Sequence, residues 1–334
     1  MKKTYYLFNP GRLSRKDQTL MFTPVDEDGN ELKPKYLPVE HVEHLYVFGS
    51  LDTNSALYNF LGKHEIGVHF YDYYENYTGS FMPKSKLQAG RMLIAQTEHY
   101  LNAESRIEIA RQFIDGASFN MLKNLKYYNN RGKDMEPIMD IMGEWVRKIP
   151  EVNLVAELMG VEGNIRRTYY EAFNLVINDH EMDGRSRQPP LNIVNSLISF
   201  GNMLCYSECL RAIHQTQLDP TISYLHEPGE RRYSLALDLA EIFKPILVDR
   251  VIFKVLNKKE IQEKDFEQKM NRVILKEKGK MKFLKAFEER LQETIKHRSL
   301  NRSVSYKHLM KLECYKLQKH LLGIEGYKPF KVYW

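Results

Sequence analysis

Hydrophobic positions follow two different periods along this chain, and the change of period divides it. Up to about Tyr71 the apolar residues come in short runs rich in aromatic and β-branched side chains: Thr4 to Phe8, Thr19 to Thr23, Leu32 to Leu37, His44 to Phe48 and Gly67 to Tyr71. Runs of this length and composition predict strands. The cluster Asp26-Glu27-Asp28-Gly29-Asn30 predicts a turn between the second and the third. One helix interrupts the series, capped at Asp52 or Thr53 and running through Leu61. The segment 75–84 then loses periodicity and collects turn formers, which predicts a linker.

Beyond it the apolar spacing is that of helices. Lys86 to Ala117, Phe119 to Tyr128 and Asp134 to Lys148 each show it. Asn192 to His214 forms a long apolar run with few charges, which predicts a buried spine. A last helix is expected from Tyr306 to Leu322. The fold class is therefore α+β: a small β-rich N-terminal domain (1–74), the linker (75–84), and a larger all-α domain (85–334).

Composition adds a compartment and a partner class. The chain has 334 residues, 43% hydrophobic and 28% charged, with no apolar run long enough to cross a bilayer and no signal-peptide pattern behind Met1. A cytoplasmic protein is expected. Cys205, Cys209 and Cys314 have neither disulfide-framework nor zinc spacing and read as packing residues. The histidines of the first domain read as structural. Residues 1–84 carry nine Lys and Arg against eleven Asp and Glu, so the net charge of +6 arises wholly in the later part, where a polyanion would bind. The charge-dense tail from Lys254 to Arg302 is ordinary solvated surface by composition, with direct nucleic-acid contact by residues 276–282 as the alternative.

Candidate chemistry lies in the second part. Leu225-His226-Glu227-Pro228-Gly229 sets an imidazole before a turn, and Ser234 is a plausible N-cap for the helix that follows. Asp238 and Glu241 are one turn apart on that helix. Leu235, Leu239 and Ile242 share its other face, so the two acids also fit a solvated stripe. Gly160 and Gly163 flank Glu162 and suggest a helix boundary, with Arg166 and Arg167 on the next turn. Glu162, His226 and Glu241 together make an O, N, O donor set of the kind that suits Mn²⁺ or Mg²⁺. Spacing alone leaves it open whether they meet.

The order of motifs narrows the choice. Leu45-Tyr46-Val47-Phe48-Gly49-Ser50, Leu158-Met159-Gly160-Val161-Glu162-Gly163, Arg187-Gln188-Pro189-Pro190-Leu191-Asn192, Ser199-Phe200-Gly201, Leu225-His226, Ser234 to Glu241 and Val248-Asp249-Arg250 follow one another along nearly the whole chain. In that order they resemble the first of the CRISPR-associated (Cas) proteins, the universal integrase subunit of CRISPR adaptation. The resemblance implies a ligand triad on Glu162, His226 and Glu241, with the family's further acid at Asp238 as a lower-ranked ligand. Glu241 departs from the family, where Asp often stands.

The resemblance also implies a catalytic helical domain and a homodimer formed largely through the β-rich domain. A small ferredoxin-like second Cas protein would bridge two dimers. The expected activity is metal-dependent endonuclease and integrase chemistry, joining 3′-hydroxyl ends of short double-stranded DNA fragments into a repeat array. Arg166, Arg187 and Lys244 are the expected phosphate contacts. The alternatives are a stand-alone metal-dependent nuclease on branched DNA and a non-catalytic nucleic-acid-binding scaffold.

Overall fold

The computed structural model describes residues 2–26, 28–83, 89–186, 189–229, 233–269, 272–297 and 300–333. The chain divides into two compact units, Met1–Lys86 and Leu87–Trp334. The first contains β1 (Lys3–Leu7), β2 (Gly11–Lys16), β3 (Thr19–Pro24), β4 (Lys35–Pro38), β5 (Val42–Val47), β6 (Leu51–Asp52), α1 (Ser55–Lys63), β7 (Gly67–Tyr71) and β8 (Tyr77–Phe81). One four-stranded sheet has the order β1-β5-β7-β8 and the other β4-β3-β2-β6. Parallel pairing of β1 with β5 and of β5 with β7 buries Leu7, Leu45, Val47 and Val68, which cluster with Leu13, Leu20 and Phe22 of the second sheet and with Leu61 of α1.

Three expectations shift in this unit. The segment 75–84, expected as a linker, supplies the edge strand β8, which pairs antiparallel with β7. Turn formers there mark the hairpin and not a domain boundary: Asp72 Oδ1 accepts from the Asn76 backbone N–H at 2.8 Å. The polar strand β2 carries no apolar alternation strong enough to predict it and is held by pairing with β3 along its length. Asn54, not Asp52 or Thr53, caps α1, its Oδ1 accepting from the Leu57 N–H at 3.0 Å. His44 and His69 are buried and hydrogen-bonded to each other at 3.1 Å.

The second unit is predominantly helical. Its elements are α2 (Gly90–Leu101), α3 (Ala103–Asn129), α4 (Glu136–Arg147), α5 (Val155–Glu171), α6 (Phe173–Val176), α7 (Ile193–His214), α8 (Ser234–Lys244) and α9 (Arg250–Asn257). A hairpin of β9 (Phe266–Lys269) and β10 (Arg272–Leu275) follows, then α10 (Glu277–Gln292), a second hairpin of β11 (Thr294–Lys296) and β12 (Ser303–Ser305), and α11 (Tyr306–Leu321). The expected all-α domain thus carries two small antiparallel hairpins within its charged tail. Lys282, from the basic cluster of that tail, pairs with buried Asp265 at 2.8 Å.

The break in the helical spacing falls at Asn102, which caps α3, so α3 runs unbroken through the position near Ser118 where two helices were expected. As expected, α7 is buried around most of its circumference. It lies close to its neighbours because Gly201 has no side chain: a Cβ there would collide with Val248 and come within 3.1 Å of Phe283. Cys205, Cys209 and Cys314 are buried free thiols. Among the described residues, no helix is long and apolar enough to cross a membrane.

Candidate active site

Glu162 sits in the middle of α5, which passes Gly160 and Gly163 without interruption. The expected helix boundary is therefore absent. Packing of Leu158, Val161 and Ile165 against the core outweighs the roughly 1 kcal/mol that each glycine costs a helix. The two glycines instead leave bare surface beside the carboxylate, since a Cβ at either would meet nothing within 4 Å.

α8 starts at Ser234, but the hydroxyl does not cap it; Ser234 Oγ donates to the Thr221 carbonyl at 2.9 Å. Nor is the acidic face of α8 a solvated stripe. Asp238 is fully buried and Glu241 is 5% exposed. Burying two carboxylates is costly without partners; Asp238 has a full set of donors, and Glu241 forms ion pairs with Arg166 and Lys244.

Asp238 serves the turn that carries the imidazole. Its Oδ2 accepts from the backbone N–H groups of Tyr224 at 2.7 Å and Leu225 at 3.0 Å. Its Oδ1 accepts from the His226 N–H at 2.9 Å and lies 2.8 Å from His226 Nδ1. Four donors fill the acceptor positions of one carboxylate. They also fix the His226 tautomer, with the proton on Nδ1 and the lone pair on Nε2. Arg106 supports the same turn from α3, donating to the Tyr224 carbonyl at 3.0 Å and to Glu227 at 2.6 Å.

Glu162 of α5 and Glu241 of α8 converge on a single cation, the guanidinium of Arg166, which forms ion pairs with both. Lys244 closes the group, its Nζ 2.6 Å from Glu241 Oε1. All four side chains are largely buried. Burial opposes the Arg166 charge, but Glu162, with Tyr170 and Asp249, more than offsets it and holds the guanidinium above its usual range. Burial, and then the neighbouring charge of Arg166, push the Lys244 ammonium down to about 8.

A further acid, Asp249, lies eight residues beyond Glu241. Residues Pro245–Asp249 form a π-helical turn between α8 and α9. Asp249 is buried there and accepts from the Tyr169 hydroxyl at 3.1 Å. Burial pushes its carboxyl up to about 7 against the opposing pull of Arg166 and of that hydrogen bond.

The structure thus brings Glu162, Glu241, Arg166 and Lys244 into one cluster and joins His226 to Asp238. No hydrogen bond or ion pair links His226 to Glu162 or Glu241, and among the described residues no three His, Cys, Asp or Glu side chains form a ready metal-holding group. Asp238 has its acceptor positions occupied, so it orients the imidazole. Arg187 lies outside the described residues. Sequence reasoning named Asp249 only within a motif and gave it no role, and it passed over Tyr169 and two buried asparagines of α3, Asn120 and Asn124. The asparagines interrupt the apolar stripe of α3 at Ala117, Met121 and Leu125, a signal available in the sequence.

The chain thus carries a β-rich first unit and a helical second unit in which two carboxylates gather on a buried guanidinium and a buried aspartate fixes an imidazole. The comparisons give it a family. The family described as CRISPR associated protein Cas1 matches residues 5–289. The CRISPR-associated endonuclease Cas1 of Fusobacterium nucleatum is 46% identical over all of this chain and 98% of its own length. That of Haloferax volcanii is 38% identical over 100% and 99%. A solved Cas1 protein from Thermotoga maritima is similar with a TM-score of 0.87 and 38% identity, over 98% of this chain and all of its own. A casposase bound to integration product shares the fold, with a TM-score of 0.87 at 22% identity over 99% of this chain and 93% of its own. The chain belongs to the CRISPR-associated Cas1 family.

Proposed function

We propose that this protein is a divalent-metal-dependent DNA integrase and endonuclease of CRISPR adaptation. In this reading it joins 3′-hydroxyl ends of captured fragments into a repeat array. The observation that carries the proposal is the meeting of Glu162 and Glu241, from two different helices, on one buried cation. Two carboxylates already gathered around a positive charge, with an imidazole nitrogen held ready by Asp238, have the donor chemistry of an Mn²⁺ or Mg²⁺ centre.

Glu162, Glu241 and His226 through Nε2 would hold the ion. When bound, it supplies Lewis-acid polarisation of a phosphate oxygen. The rest falls to the chain's own groups. Arg166 and Lys244 occupy the carboxylates now; once released from them, their charges are placed to receive phosphate oxygens and the charge that develops on them. Asp238 keeps the His226 ring in one tautomer and one orientation. In joining, the fragment's 3′-oxygen bonds to phosphorus and loses its proton as the target's P–O3′ bond breaks and its 3′-oxygen gains one. Water in place of the 3′-hydroxyl gives cleavage. The bare helix surface at Gly160 and Gly163 admits a nucleic-acid backbone close to Glu162.

The expected setting is a cytoplasmic homodimer formed through the β-rich domain, with the helical domain as the catalytic one and the small second Cas protein as partner. A protein of this fold, 18% identical, has been solved in a Cas6-RT-Cas1–Cas2 complex. The test mixes the purified chain and that partner with a short duplex bearing free 3′-hydroxyls and a repeat-bearing plasmid. Joined products that need Mn²⁺ or Mg²⁺ and vanish in Glu162→Ala and His226→Ala support the reading. Products undiminished by these substitutions sink the site assignment, and strand cleavage without the partner and without joining favours a stand-alone nuclease.

A further inference from the structure

Two asparagines of α3 take no part in the chemistry described above, yet they touch the backbone on which it depends. Asn120 and Asn124 lie one turn apart and are buried, 0% and 1% exposed. Asn120 Nδ2 donates to the Ile242 carbonyl at 2.9 Å, and Asn124 Nδ2 donates to the Pro245 carbonyl at 2.6 Å. These carbonyls bracket the passage from α8 into the π-helical turn.

The passage needs outside support. Pro245 has no N–H to return to the Glu241 carbonyl, and a π-helical turn spoils the regular ladder around it. Buried carbonyls without donors are costly, and the two side-chain amides donate to the Ile242 and Pro245 carbonyls. Register is at stake as well. Each residue advances a helix by about 100°, so the widened turn decides which face Asp249 presents. With the turn in place Glu241 meets Arg166 and Asp249 meets Tyr169. Asn124 ties the two together. It also donates to the Tyr169 hydroxyl oxygen at 3.0 Å, so the Tyr169 hydrogen is directed to Asp249. Asn120 is fixed in turn by the C-terminal segment, accepting from the Val332 N–H at 2.8 Å.

We propose that Asn120 and Asn124 are positioning residues for the metal centre, holding the turn after α8 in the register that sets Glu241 opposite Glu162. The inference rests on the metal-site reading of Glu162, His226 and Glu241. Loss of either amide leaves the packing volume nearly intact when Leu replaces it, but frees the end of α8 to rotate and carries the Glu241 carboxylate off the centre.

The test measures Mn²⁺ affinity of the full chain by calorimetric titration, together with backbone hydrogen exchange over residues 242–250. In Asn124→Leu and Asn120→Leu the affinity is expected to fall about 10–100-fold. Exchange should quicken in that segment while the far-ultraviolet dichroism stays that of wild type. The Asn124→Leu loss should not add to that of Tyr169→Phe, because both break the same chain of hydrogen bonds. Ser118→Ala, on the same helix, should change neither reading. Wild-type Mn²⁺ affinity in folded Asn124→Leu and Asn120→Leu overturns the proposal, and Asn124→Ser decides by the same criterion should the leucine variants not fold. A wild-type chain that binds no Mn²⁺ overturns the metal-site reading and this inference with it, a pattern distinct from variants that bind normally.

Discussion

Asp238 and Glu241 stand one turn apart on the same helix and do opposite things. Asp238 is saturated by three backbone N–H groups and one imidazole nitrogen, so its work is to shape the 224–226 turn and to orient His226. Glu241 holds two cations that a divalent ion could replace. Substituting Asn for Asp238 exchanges one acceptor for a donor that faces N–H groups, so at least one backbone N–H loses its partner, at about 1–3 kcal/mol. Asp238→Asn should lower the melting temperature and reduce joining by about 10–100-fold. Stability and joining both equal to wild type would contradict the positioning role. The distinction between the two acids was not legible from spacing, because helical periodicity places side chains on a face without saying what covers that face. Here the 219–227 loop and α5 cover it.

At the scale of elements, α5 shows how a local rule and the packed structure part company. Two glycines predicted a break, and the helix runs through them because its other face is well packed. That leaves an unusual substitution. Gly163→Ala meets open space and favours the helical state, so it should stabilise the chain by about 0.5–1 kcal/mol, read in a urea titration. If the bare surface is where a DNA backbone approaches Glu162, the same variant should lower joining despite its greater stability. Raised stability with unchanged joining would remove that surface from the account.

The long helix α7 and the strands β1, β3, β5 and β7 were readable from apolar period, whereas for α2 and α3 the helical period was readable but the break between them at Asn102 was not. The strands β2 and β8 and both C-terminal hairpins were not, since each is polar or short and is made by its partner strand. Of the site, Glu162, His226 and Glu241 were nameable through the motif order. The roles of Tyr169, Asp249, Asn120 and Asn124 emerge only from contacts between α3, α5 and the turn after α8, residues 45 to 121 positions apart in sequence.

The whole molecule carries a buried charge cluster whose protonation is coupled to folding. The Asp249 carboxyl is raised from 3.8 to about 7. A raised acid keeps its proton in the fold at a pH where the unfolded chain has lost it. Its contribution to stability is complete below about 4 and is lost as the pH rises through about 7. Lys244, lowered from 10.5 to about 8, acts over a separate window: stability from it is present above 10.5 and lost as the pH falls through about 8. Denaturant titrations of metal-free protein at several values between pH 4 and 7 should therefore show Asp249→Asn gaining on wild type as the pH rises. A difference between the two that is flat, or of opposite slope, would contradict the buried environment assigned to Asp249.

Glu162, Glu241 and His226 are proposed to hold a divalent ion where Arg166 now bridges the two carboxylates. Anomalous diffraction from a crystal of the wild-type chain soaked in Mn²⁺ tests it directly. One strong peak is expected between Glu162 and Glu241, with His226 Nε2 turned toward it, His226 Nδ1 still on Asp238, and Arg166 withdrawn. A saturating soak with no peak there and Arg166 still bridging Glu162 and Glu241 would contradict it.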